Sequence, residues 1–210
     1  MERLTKEMSK SELEKEISKW GDYVKMDNLE RFLKVNFDLP LDIKKFVYQK
    51  LAIIYEGRKM FADAAKCYEK IAELEQLPSE QLKKYLKAVE MYIKVEMFDK
   101  ANNLIQSKME NLNSIQKKEI SNSIVNFYKN EAKECLAGRR SKTVKIYEKM
   151  LVMNIVPINE KEIIKEDLLK LYMNIGNMIE YGHLKNKNFK KEEPKKEVKE
   201  EVEGLDFLYK

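Results

Sequence analysis

Residues 48–78 read Tyr48-Gln49-Lys50-Leu51-Ala52-Ile53-Ile54-Tyr55-Glu56-Gly57-Arg58-Lys59-Met60-Phe61-Ala62-Asp63-Ala64-Ala65-Lys66-Cys67-Tyr68-Glu69-Lys70-Ile71-Ala72-Glu73-Leu74-Glu75-Gln76-Leu77-Pro78. Leu51 and Tyr55, then Phe61, Ala64, Tyr68 and Ile71, recur every three or four residues, the spacing of one helix face. The polar run Glu56 to Lys59 interrupts the two periodic segments, and Pro78 closes the second. The stretch therefore predicts two short helices joined by a tight turn. Neither is long enough to be stable alone, so each must bury its apolar face against a neighbour.

The same arrangement returns along the chain. Ala88-Val89 and Tyr92 precede Phe98, Ala101 and Ile105, and Leu168-Leu169 and Tyr172 precede Gly176 and Tyr181. Tyr55, Tyr92 and Tyr172 stand 37 and 80 residues apart, and Pro40, Pro78 and Pro157 stand 38 and 79 apart. A period near 39 residues follows, with one copy skipped between the second and third tyrosines. Leu136-Ala137-Gly138, Thr143, Tyr147, Met150 and Pro157 supply that copy, and Leu13, Ile17, Trp20-Gly21, Tyr23, Leu29, Leu33 and Pro40 supply an N-terminal one. Small residues such as Ala52, Ala64 and Ala101 are expected where helices cross closely, because larger side chains would hold the backbones apart. Gly21, Gly138 and Gly176 are expected at left-handed helix ends inside each pair. Residues near Asn111 to Ser123 are expected to lengthen one connection between repeats.

These residues resemble the tetratricopeptide repeat, a helix–turn–helix unit of about 34 residues, over roughly Ser9 to Lys187. Tyr48, Leu51, Ala52, Tyr55, Phe61, Ala64, Tyr68 and Pro78 carry the best match. The units here are longer, which points to a divergent relative. The resemblance implies an all-α protein of about five helix pairs stacked in a right-handed α-α superhelix. The expected organisation is a repeat domain over residues 1–188, a charged flexible linker over 189–204, and an apolar C-terminal motif over 205–210.

Composition agrees with helices and narrows the chemistry. Gly and Pro total 6 and 4 residues in 210, too few for a strand-rich fold with frequent turns. One His and two separated Cys leave little for a zinc site, a Cys-His pair or a Ser-His-Asp triad. No Gly-rich phosphate loop occurs. The expectation is a non-enzyme without cofactor or metal. The net charge of +5 is spread along the chain, so it speaks for solubility rather than for a dedicated nucleic-acid face. Arg139, Arg140 and Lys142 form the densest cationic spot and read as a solvated turn. Two unpaired-looking Cys, no apolar leader at Met1 to Lys10 and no long apolar run predict a soluble cytoplasmic protein.

The resemblance places the concave groove on the first helix of each pair. Counting outward from the core positions gives Gln49, Ile53 and Glu56, then Lys87, Glu90 and Lys94, then Tyr128, Lys129 and Ala132, then Glu166, Lys170 and Met173. The family's carboxylate clamp needs Lys and Asn where Gln49 and Ile53 stand, so an acidic chaperone C-terminus is disfavoured as ligand. The tail ends Gly204-Leu205-Asp206-Phe207-Leu208-Tyr209-Lys210. Its apolar residues Leu205, Phe207, Leu208 and Tyr209 suit a docking motif, for a partner or for the chain's own repeats. The expected function is an adaptor or scaffold that binds a protein or peptide in the groove, with the tail as a second contact. RNA binding through groove lysines is the alternative.

Overall fold

A computed structural model describes residues 4–110 and 112–189. It is all-helical, with α1 Lys10–Ser18, α2 Asp22–Val35, α3 Leu41–Gly57, α4 Phe61–Glu73, α5 Pro78–Lys94, α6 Phe98–Met109, α7 Ser114–Leu136, α8 Arg140–Val152, α9 Ile158–Ile175 and α10 Met178–Lys185. The tail motif at Leu205, Phe207, Leu208 and Tyr209 and most of the expected linker lie outside the described residues.

The main helix contacts join neighbours in the chain, from α2 on α3 through to α9 on α10. One junction departs from this order: besides its neighbour α8, α7 packs on α5 rather than on α6. Ala52, Ala64 and Ala65 are fully buried, and Ala101 nearly so. They let helix backbones approach closely, as their size predicts. A continuous core runs from Leu13 through Leu51, Ile71, Met91, Ile124 and Ile146 to Leu168.

Sequence signals set the helix starts. Ser9 caps α1 in a reciprocal box with Glu12, and this hydrogen bonding to Ser9 holds the Glu12 carboxyl below its ordinary pKa. Pro40 and Pro157 stand just before α3 and α9, and Pro78 is the first residue of α5. There the missing N–H costs nothing, because the first helical N–H groups have no intrahelical partner.

Three of the turns inside helix pairs are built alike. Lys59, Glu96 and Gly176 adopt left-handed φ values of 59°, 61° and 76°. The next residue's N–H then reaches back to the carbonyl of Tyr55, Tyr92 or Tyr172, at 2.8, 3.0 and 2.9 Å. This is a Schellman-type ending that satisfies carbonyls left over at the helix end. Of the three glycines expected in this role, Gly176 alone fills it. Gly21 precedes α2 with φ −73°, and Gly138 is not among the positive-φ residues. At the other two turns Lys59 and Glu96 carry the strain of a left-handed backbone.

Of the expected long connection near Asn111 to Ser123, the part from Ser114 on is helix. α7 begins at Ser114 and runs 23 residues. Asn113 accepts from the Gln116 N–H at 2.9 Å, and Gln116 accepts from the Asn113 N–H at 3.2 Å. This capping box starts the helix close behind α6, so the extra residues lengthen a helix rather than a loop.

Candidate functional site

A hydrogen bond across helix pairs recurs at three junctions. The Tyr55 hydroxyl donates to Glu30, Tyr92 to Glu69, and Tyr172 to Glu148. Each tyrosine stands six residues before the next helix begins, and each glutamate is the ninth residue of its helix. Burial first, and the glutamate bond second, raise the pKa of all three phenols. The bonds fix one pair against the next and so set the spacing of whatever the helices present.

On α3, Gln49 and Ile53 lie one turn apart and both are exposed. Ile53 shares a cleft of about 380 Å³ with Ile17, Lys50 and Ile54. The ammonium of Lys50 crosses to Glu14 on α1 there.

Lys87, Glu90 and Lys94 come together on α5, half-buried. Lys87 Nζ lies 3.0 Å from Glu90 and 3.5 Å from Glu56 on α3, and Lys94 Nζ lies 3.6 Å from Glu90. Tyr68 donates to the same Glu56, and Lys94 sits 5.3 Å above the Phe61 ring. Burial works against the Lys87 charge. The carboxylates of Glu90 and Glu56 outweigh it and hold its pKa above the ordinary lysine value. Two lysines and two glutamates thus neutralise one another locally.

The remaining residues of the expected groove scatter. Tyr128 is fully buried, and its ring packs on Phe98 at 5.6 Å between centroids. It is a core residue and offers a partner nothing, which corrects its placement in the groove. Ala132 is fully buried too. The α7 face that the core takes is therefore not the one counted outward from the repeat pattern. Lys129 ties α7 to α9 through Glu160 at 2.8 Å. Lys170 is exposed and pairs with Asp167 at 3.4 Å. Glu166 and Met173 are exposed on the same helix.

Two features escaped the sequence reading. The first is a buried ion pair. Lys142 on α8 donates to Glu131 on α7 at 2.5 Å and to the Lys94 carbonyl at 2.6 Å. Cys135 donates its thiol proton to the same carboxylate at 3.2 Å. Lys142 thus leaves the cationic turn for the core, while Arg139 and Arg140 stay exposed.

The second is an open cleft of about 250 Å³ between α6, α7 and α8, with an apolar floor of Ile105, Met109, Ile124 and Met153. Asn102, Gln106 and Asn154 add amides to its lining, and Val152, Ile155 and Lys149 complete it. It opens at the junction that lacks the tyrosine–glutamate bond. Gln106 is the ninth residue of α6, and an exposed Glu134 stands six residues before α8. That double departure was the available signal. Among the described residues, no group of three or more His, Cys, Asp or Glu is placed to hold a metal ion, and no helix is long and apolar enough to cross a membrane. No family model matches the chain, and no curated protein or solved structure matches it.

Proposed function

We propose that the chain is a non-enzymatic adaptor that binds a partner protein or peptide along the exposed side of α3 and α5. In this reading the five helix pairs stack as a tetratricopeptide-like right-handed superhelix. Gln49 and Ile53 give an apolar contact beside the mixed-charge set Lys87, Glu90 and Lys94, with Lys129 and Lys170 further along. The tail motif at Leu205, Phe207, Leu208 and Tyr209 serves as a second contact.

The observation that carries this reading is the repeated junction. The same turn at three places and the same tyrosine–glutamate bond at three places hold the pairs at set spacing. A surface held this way is ordered before its partner arrives, so binding costs less ordering of the receptor. Ile53, 56% exposed beside a cleft, is the apolar anchor such a surface needs. The lysines that a nucleic-acid backbone would require are already shared with Glu56 and Glu90, which favours the protein partner over RNA.

The test is affinity purification of the full chain from its native cell, beside Ile53→Asp and the pair Lys87→Glu with Lys94→Glu. A partner recovered by wild type and depleted at least tenfold by both variants, with helicity unchanged, supports the surface. Equal recovery by all three removes it.

A further inference from the structure

We propose that the cleft between α6, α7 and α8 is the docking site of the chain's own segment Leu205-Asp206-Phe207-Leu208-Tyr209. The inference is independent of the α3 and α5 surface in the adaptor reading, and it means that a partner taking the tail as its second contact must first displace it from this cleft.

The cleft exists because α7 leaves α6 for α5. Across this junction α6 and α7 scarcely touch, although Ile105, Ile124 and Met153 are themselves buried. Together with half-buried Met109 they form the floor of an open cleft, at whose rim Val152 is exposed. The volume of about 250 Å³ is below the roughly 300–1,000 Å³ of small-molecule pockets. It suits the anchor side chains of a short peptide rather than a helix or a domain. Amides from Asn102, Gln106 and Asn154 lie around an apolar floor, an arrangement that pairs with peptide backbone while the floor takes side chains. Phe207 and Leu208 are the anchors the segment supplies, while Lys149 in the lining is held by Asp99 of α6 at 2.9 Å.

The place where the described chain ends decides the occupant. Phe189 is half-buried, with Lys161 and Lys187 over its ring at 5.9 and 5.5 Å. Lys165 donates to the Lys187 carbonyl at 2.6 Å. The chain therefore leaves the fold beside the first turns of α9. Lys161 is only six residues beyond Ile155 in the cleft wall, so their backbones are at most about 20 Å apart. Residues 190–204 separate this exit from Leu205. A chain of that length has a root-mean-square span of roughly 20 Å even at flexible-coil dimensions. Such a tether gives an effective concentration on the order of 1 mM, so an intrinsic Kd near ~100 µM already fills the cleft about nine-tenths of the time.

The experiment places p-benzoylphenylalanine at Phe207 in the full chain, at low micromolar concentration. Irradiation is followed by digestion and mass spectrometry. The benzophenone inserts preferentially into methionine side chains, and Met109 and Met153 line the cleft. The expected result is crosslinks within one chain to Met109, Met153 or their neighbours. Gln106→Trp and Asn154→Arg, both at exposed lining positions, should lower that yield at least tenfold without changing helicity. Crosslinks to Met173 and Met178 instead, crosslinks between two copies, or a yield no higher than in denaturant each overturn the proposal. The parent map alone decides should either cleft variant fail to fold.

Discussion

The Tyr172 hydroxyl donates to the Glu148 carboxylate at 2.6 Å, tying α9 to α8, and Tyr55 with Glu30 ties α3 to α2 and Tyr92 with Glu69 ties α5 to α4 in the same way. A neutral donor on a partly buried carboxylate is a stronger bond than one between two neutral groups. Tyr92→Phe keeps the ring and its packing and removes the bond alone. The expected loss is about 1–2 kcal/mol by urea denaturation. An unchanged midpoint would show that the ring does all of the work.

Those tyrosines also give an alkaline signature. Burial and the glutamate raise their folded pKa above the unfolded value of about 10. The fold therefore favours the protonated phenol. That contribution is fully present below pH 10 and is lost as pH rises from there through the folded value. Stability measured between pH 9 and 11.5 should fall, and the fall should be shallower in Tyr92→Phe. Parallel curves for the two proteins would count against the assignment.

Lys59 holds a left-handed backbone, φ 59°, at an exposed position. Lys59→Gly removes the clash of its Cβ with the backbone, at the expense of a looser unfolded chain. A net gain of about 0.5–1 kcal/mol is expected. Gly176→Ala at φ 76° should lose about 1 kcal/mol, although the added Cβ meets nothing within 4 Å. Gly138→Ala, without a positive φ, should be neutral or slightly stabilising. Thermal denaturation of the three variants reads the order directly.

Glu131 and Lys142 are 4% and 6% exposed, so each neutralises a charge that water cannot reach. Lys142→Met strands the carboxylate and should cost about 3–5 kcal/mol. Glu131→Leu with Lys142→Met should recover most of it, because an apolar replacement for a buried pair is often neutral. Equal loss in the single and double variants would assign the cost to packing.

Burial pushes the Cys67 thiol up to about 12 and raises Cys135 as well, the latter with help from Glu131. At pH 8 a thiol of pKa 12 is about one part in ten thousand thiolate, the reactive form. Both cysteines should resist a disulfide-exchange reagent in the folded protein and react at once in denaturant. Fast labelling of native protein would contradict the packing of α4 and α7.

Much of the fold was legible because it is local. The spacing of Leu51, Tyr55, Phe61 and Tyr68 marks helices, and Pro40, Pro78 and Pro157 mark where α3, α5 and α9 begin. The capping pair Asn113 and Gln116 was equally local, and overlooking it turned the start of α7 into a loop. The candidate site was less legible. Gln49 and Ile53 are exposed as counted, but Tyr128 is core. Counting outward from a repeat pattern assumes that every helix turns the same face inward, and α7 does not.

The sequence by itself determined that the chain is helical and where most of its helices begin, since hydrogen bonding within a helix and the chemistry of its ends depend on residues a few positions apart. Only the tertiary structure decided which face of α7 is buried, which lysines are already paired with glutamates, and where the stack opens. Those outcomes depend on side-chain volumes and charges from helices distant in the chain. At the α6–α7 junction Gln106 and Glu134 stand where the other three junctions have the glutamate and tyrosine that bond across them, and the cleft of α6, α7 and α8 lies there.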